Sequence, residues 1–334
     1  MAESPEEHLL NHLRDAHAVE LQAVRQLERA AKRRDEETRE VYAEHLEETR
    51  GHEQRMRELV EAHGHDPTPI EDKTLRGGAI GLRQLADVAL DTPVKMAMNL
   101  FALEHLEIAT YELLAEIAKA AEDEDAAKAA EEILPEEREA VEKLTGTFDR
   151  AVELHMEKSE QDDVLLAHLR DIHAMEQQSM QLFQTAVDQV GEDDELERLY
   201  KEHLEQTEDH ERLIAERIEA RDAKPSAVKD LHAGAAKSGL IALADGPPDV
   251  CPKLAMNLFC LESLEVAGYE LLIRIADRCD DSETVDVAEK ILGEEREAAE
   301  AIQNSFPHTV ELMFESDAAY ATASSAARSD ADDD

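Results

Sequence analysis

Tryptophan is absent from the 334 residues, aromatic side chains make up 3%, and only 12 Gly and 10 Pro punctuate the chain. With so few breakers, and with alanine, leucine and glutamate dominant, the composition favours an all-α protein. Cysteine is scarce too. Cys251, Cys260 and Cys279 are odd in number and confined to the second half, and Ala102 and Ala121 stand where the first half aligns with the last two. A disulfide framework is therefore not indicated. Long apolar runs are missing, none reaching the ~20 residues that span a bilayer. The acidic opening MAESPEEHLL lacks the basic region of a signal peptide, so a cytoplasmic location is expected. Positive charge is short as well: the formal net charge is -45, which argues against a nucleic acid or an anionic membrane as partner. Only 13 of the 35 basic residues are Lys. Carboxylate excess with scarce Lys reads as adaptation to high salt, where screening removes the self-repulsion.

What the chain does have is an internal repeat. AMNLFALEHLEIATYELL at 97–114 returns as AMNLFCLESLEVAGYELL at 255–272. In the same way LLNHLRDAHAVELQ (9–22) matches LLAHLRDIHAMEQQ (165–178), and YAEHLEETRGHE (42–53) matches YKEHLEQTEDHE (200–211). AAEEILPEEREAVEKL (129–144) matches VAEKILGEEREAAEAI (287–302). The offset moves from 156 to 158 after the first helix, which places an insertion in the loop QVGEDDE. Each copy thus offers four helical segments, A to D.

Helix A opens on a capping box, Ser4-Pro5-Glu6-Glu7, with Pro at its first position. Helix B is predicted over 35–63, stopped by Gly64, Pro67 and Pro69. A long connection over 64–92, with a short helical piece near 80–88, leads to Thr92-Pro93 at the start of helix C. A connection of that length points to a crossover bundle. Helix D is predicted from about 125 to Phe148. Pro135 lies inside it and Gly293 in its copy, which weaken a helix by ~3 and ~1 kcal/mol, so a bend or bulge is expected just before Glu137 and Glu295. The expected units are 1–158 and 159–315, with 316–334 a disordered acidic tail.

Apolar residues recur along these helices every three or four positions, and carboxylates intrude into the stripes. Helix C carries Glu104 and Glu107 on one face, repeated as Glu262 and Glu265. With the four helices antiparallel, the first copy turns inward Glu20, His52 or Glu53, Glu104, Glu107 and Glu137. The second turns inward Glu176, His210 or Glu211, Glu262, Glu265 and Glu295. Unpartnered buried carboxylates are costly, and several at one level favour a cation on the axis. Carboxylates with one or two imidazoles suit iron or manganese, and four or more carboxylates suit two adjacent divalent ions. His17 and His173, one turn before Glu20 and Glu176, are placed to orient those ligands. Tyr111 and Tyr269 are placed to hold a carboxylate.

The pieces LRDAHAVELQ, EHLEETRGHEQRM, ALEHLEIATYELL and EEILPEEREAVEKL, each present in both copies, resemble the YciE/YciF branch of the ferritin-like superfamily. The resemblance covers nearly the whole chain except the tail and the B–C connection. It implies two tandem ferritin-like four-helix bundles, each with a carboxylate-bridged di-iron-type centre, often linked to stress responses and associating in pairs. The matching ligand positions are Glu20, His52, Glu104, Glu107 and Glu137 with Glu176, His210, Glu262, Glu265 and Glu295. One departure stands out. The general pattern takes Glu-x-x-His from two helices, whereas helix B reads Thr49-x-x-His52 and helix D reads Glu137-x-x-Ala140. Glu48 is also replaced by Gln206 in the copy.

The expected activity is binding of two iron or manganese ions per bundle, with oxidation of Fe(II) by O2 or peroxide. Glu107 and Glu137 would bridge, and Glu20, Glu104 and His52 would be terminal ligands. The copies are expected to pack as an internal pseudo-dimer, and homo-oligomers are compatible with this. Two rivals stand beside this reading. One is a metal-free helical stress-associated module whose inward Glu are protonated or paired with Arg and His; the other is a manganese catalase-like enzyme using the same ligands.

Overall fold

The computed structural model describes residues 4–67, 92–190, 193–226 and 250–331. Among them the regular elements are all helices. The first copy folds as α1 (Pro5–Ala30), α2 (Glu36–Ala62), α3 (Pro93–Ala120), α4 (Glu124–Thr145) and α5 (Phe148–Met156). The second follows as α6 (Gln161–Gln189), α7 (Asp194–Glu219), α8 (Val250–Arg278), α9 (Ser282–Asn304) and α10 (Phe306–Ala331). None of the described helices is long and apolar enough to cross a membrane. The expected helical piece near 80–88, and with it most of the B–C connection, lies outside the described residues.

The helix ends follow the local signals. Ser4 Oγ accepts from the Glu7 amide at 3.2 Å while Glu7 Oε2 accepts from the Ser4 amide at 2.8 Å, the reciprocal pairing of a capping box. Asp35 and Thr92 cap α2 and α3. Past the end of α2 the chain turns through Gly64 in the left-handed region (φ 77°), and Asp222 makes the equivalent turn after α7 (φ 54°).

Helix D differs from its prediction in two ways. No bulge forms at Pro135: α4 runs through it uninterrupted, because Pro135 and Glu131, whose carbonyl loses its amide partner, both lie on the exposed face. A break comes later instead. Thr147 Oγ1 folds back on the Leu144 carbonyl at 2.7 Å, and Ser305 Oγ on the Ile302 carbonyl at 2.7 Å. Each hydroxyl competes for the carbonyls that would continue the helix. The short α5 and the long α10 result.

Helix C is the axis of the molecule. From Ala97 to Ala109, α3 is buried all round apart from the half-buried His105, since it faces its own bundle on one side and α8 on the other. Around this seam α5 reaches across to α8 and α10 to α3. Arg274 stacks over the Phe148 ring at 5.6 Å, and the buried Cys260 thiol donates to the Ala102 carbonyl at 3.3 Å. All three cysteines are free.

Helix α10 continues to Ala331, into the stretch expected to form the tail. Its run AAYATASSAA is rich in the best helix former. Its root is also anchored: Asp317 Oδ2 lies 2.5 Å from Nε2 of His8, and both side chains are buried.

Candidate metal centre

Each helix of the first bundle brings its polar residues inward by the same register that builds its core. On α1 the buried positions Leu13, Ala16, Ala23 and Leu27 flank Glu20. On α2 they flank both His45 and His52, seven residues and two turns apart on one face. Helix α3 contributes Glu104 and Glu107, and α4 contributes Glu137 between Ile133 and Ala140. The four carboxylates are at most 1% exposed.

These side chains form two overlapping groups. Glu20, His52 and Glu137 offer donor atoms that all lie within 4.8 Å of one another; so do His45, Glu104, Glu107 and Glu137. Glu137 belongs to both. His52 Nδ1 lies 2.8 Å from Glu137 Oε1 and 4.0 Å from Glu20 Oε1, and His45 Nε2 lies 2.7 Å from Glu104 Oε2. Yet both oxygens of Glu104, Glu107 and Glu137, with His52 Nδ1 and one oxygen of Glu20, make no hydrogen bond. Donor atoms crowd a common point without the alignment of hydrogen bonds, as ligands of a shared cation would. Among the described residues, no Lys or Arg pairs with these four carboxylates.

The second bundle repeats the arrangement. Glu176, His210 and Glu295 form one group and His203, Glu262 and Glu295 the other. His210 Nδ1 is 2.8 Å from Glu295 Oε1, and His203 Nε2 is 2.7 Å from Glu262 Oε2. Glu265 is buried beside them but lies outside both groups, one oxygen accepting from Ser179 Oγ at 3.3 Å.

Each inward imidazole is gripped from behind. His52 Nε2 donates to Glu136 at 2.7 Å and His210 Nε2 to Glu294 at 2.8 Å. Glu136 and Glu294 therefore hold the imidazoles from the solvent side. His45 Nδ1 donates to Glu48 at 3.2 Å, and His203 Nδ1 to the Gln206 carbonyl oxygen at 3.0 Å. Outward donation fixes the tautomer and leaves the other nitrogen's lone pair facing the centre.

Two expectations need correction. His17 does not orient Glu20; its Nε2 meets Glu53 at 2.8 Å, and Glu53 is held by Arg57 as well. His173 meets Glu211 at 2.9 Å in the same way. Glu53 and Glu211 thus leave the axis, because one position on a helix turns the side chain by ~100°. The partner of Glu20 is the Tyr111 hydroxyl, and that of Glu176 is the Tyr269 hydroxyl. His45 and His203, absent from the inward set expected from the sequence, belong to the groups. Their signal is the seven-residue spacing to His52 and His210, present in both copies.

The electrostatics follow from burial. It pushes Glu20, Glu107, Glu176 and Glu265 well above the ordinary carboxylate range, and neighbouring carboxylates add to this. Burial pushes Glu262 up to about 8, against the attraction of His203. For His45 and His52 burial works downward, but Glu104 and Glu137 respectively overcome it and raise them to about 10 and about 9. Glu295 goes the other way, because His203 and His210 outweigh its burial.

Without a cation these groups hold protons that the unfolded chain would release. Between pH 6.5 and 8 Glu262, His45 and His52 bind more protons folded than unfolded, so their contribution to stability falls as pH rises. Each extra proton costs about 1.4 kcal/mol per pH unit. Glu295 contributes no opposing slope there, since its stabilisation is lost only as pH drops below the ordinary carboxylate range. In chelator, the melting temperature is expected to drop from pH 6.5 to pH 8; a flat or rising profile would contradict the protonated cluster.

The fold and site define an all-helical protein of two repeated halves, each with buried Glu and His groups suited to hold a metal ion. The model of a family described as a domain of unknown function (DUF892) matches residues 4–157 and again 160–314. The chain belongs to the DUF892 family, as a tandem duplication. No solved structure matches it.

Proposed function

We propose that each repeat is a carboxylate-bridged two-metal centre of the ferritin-like kind, taking iron or manganese. The observation that carries this reading is the pair of overlapping ligand groups joined at Glu137, and at Glu295 in the copy. The first bundle's groups hold four Glu and two His, the donor set of di-iron and di-manganese carboxylate bundles; the second bundle's hold three Glu and two His, with Glu265 buried beside them. Here both imidazoles come from helix B and two carboxylates from helix C, which replaces the paired Glu-x-x-His arrangement. Charge agrees as well. Four carboxylates and two neutral imidazoles balance two divalent ions, whereas a single ion would leave the axis anionic.

Glu20 and His52 would hold one ion and Glu104 and His45 the other. Glu137 and Glu107 would lie between them; Glu107 approaches Glu20 as well as Glu104. When bound, such an ion pair supplies redox chemistry toward O2 or peroxide. The protein's part is to fix the imidazole tautomers through Glu48 and Glu136, to restrain Glu20 through Tyr111, and to keep the axis dry with its packed core. Whether Fe(II) oxidation or peroxide removal is the physiological task turns on the oxidant, and a stress-related role follows from the resemblance alone.

The test is metal content. Chelator-treated full-length protein refilled anaerobically with Fe(II) or Mn(II) is expected to retain about four ions per chain by plasma mass spectrometry. Its stability should rise by about 2.7 kcal/mol for each ion bound at a free metal concentration 100-fold above Kd. Protein that retains no metal, and melts identically with and without chelator, is a helical scaffold whose Glu cluster is satisfied by protons and histidines.

A further inference from the structure

We infer that the two centres are unequal, the first binding its ions more tightly than the second, and that Glu48 and Gln206 are the positioning residues that set them apart. The inference rests on the two-metal reading above. His45 and His203 occupy equivalent places, each with Nε2 facing the axis and Nδ1 donating outward. The acceptor differs. Glu48 presents a carboxylate to His45 at 3.2 Å, and Lys143 Nζ steadies it at 3.4 Å. Gln206 presents a neutral amide oxygen to His203 at 3.0 Å, and the residue aligned with Lys143 is Ala301.

A carboxylate behind an imidazole raises its basicity as a ligand and holds its orientation; loss of such a partner typically costs 10–100-fold in metal affinity. A second difference acts in the same direction. Ser179 donates to Glu265 at 3.3 Å, whereas its aligned residue in the first copy is Ala23, and both oxygens of Glu107 stay free for a metal. Glu265 is accordingly left out of the ligand groups that Glu107 joins. One copy has a carboxylate behind its imidazole and a fourth inward carboxylate with both oxygens unpaired; the other has an amide oxygen behind its imidazole and a fourth carboxylate with one oxygen held by Ser179.

Stepwise addition of Co(II) to the metal-free full chain, followed by the visible d–d absorption, reads the affinities directly. Wild type is expected to fill in two phases separated by about 10–100-fold in Kd. In a Glu295→Ala background, which isolates the first centre, Glu48→Gln should weaken binding about 10-fold or more. In a Glu137→Ala background, Gln206→Glu with Ser179→Ala should strengthen the second centre by a similar factor. Glu48 and Gln206 sit near the surface, so metal-free melting within a degree or two of the parent would assign the shift to the metal and not to folding. Four ions binding in one phase, unmoved by either exchange, would overturn the inequality while leaving the two-metal reading intact. A chain that binds no Co(II) overturns both.

Discussion

Replacing Glu137 with alanine is expected to empty the first centre of both ions while the second stays loaded, halving the metal content from about four to about two per chain. Its carboxylate is the one donor common to both groups of its bundle, 2.8 Å from His52 Nδ1 and within reach of His45 and Glu104. Loss of Glu20 should behave differently, weakening the site shared with His52 more than its neighbour. Removing Glu137 also takes away the carboxylate charge 2.8 Å from the buried His52 that holds its imidazole protonated without metal, so the metal-free variant should lose roughly 1–3 kcal/mol. Plasma mass spectrometry on Glu137→Ala, Glu295→Ala and the double variant checks this, with about two, two and no ions expected. Retention of a full complement in the double variant would remove the shared carboxylate from the account.

The second large effect runs in opposite directions for stability and binding. Glu107→Met together with Glu265→Met should raise the melting temperature in chelator while abolishing the stabilisation that metal confers. Both carboxylates are at most 1% exposed and are pushed far up by burial and by like neighbours. Substituting a well-packed apolar side chain for a buried charged or hydrogen-bonding group often stabilises by about 1–4 kcal/mol. Glu107 has no hydrogen bond to lose, and Glu265 loses only the one from Ser179. Such a site sacrifices stability for function. Thermal melting with chelator and with Mn(II) reads both halves; a variant less stable in chelator would mean that the two Glu are structural.

Much of the site is legible in the linear chain because a helix converts spacing into direction. Glu104 and Glu107, three apart inside an apolar stripe and repeated in register, can only point together and inward. The same reasoning carries Glu20 and Glu137, each flanked by alanines and leucines at helical spacing. It falters on helix B. There His45, His52 and Glu53 all lie near the edge of the buried face, and a rotation of a few tens of degrees decides which enter. Packing chose the two histidines and turned Glu53 toward His17 and Arg57.

The sequence by itself determined the duplication, the all-helical class, the caps at Ser4 and Thr92 and the inward carboxylates. Each of these depends on a local period or a local hydrogen bond, which the order of residues specifies directly. Only the tertiary structure decided the partners: Tyr111 for Glu20, Glu53 for His17, and Asp317 for His8 across 309 positions of chain. It also decided that His45 and His203 enter the groups while Glu53 and Glu211 leave the axis. Those outcomes depend on how helices distant in sequence rotate and press against one another, and no local period encodes that rotation.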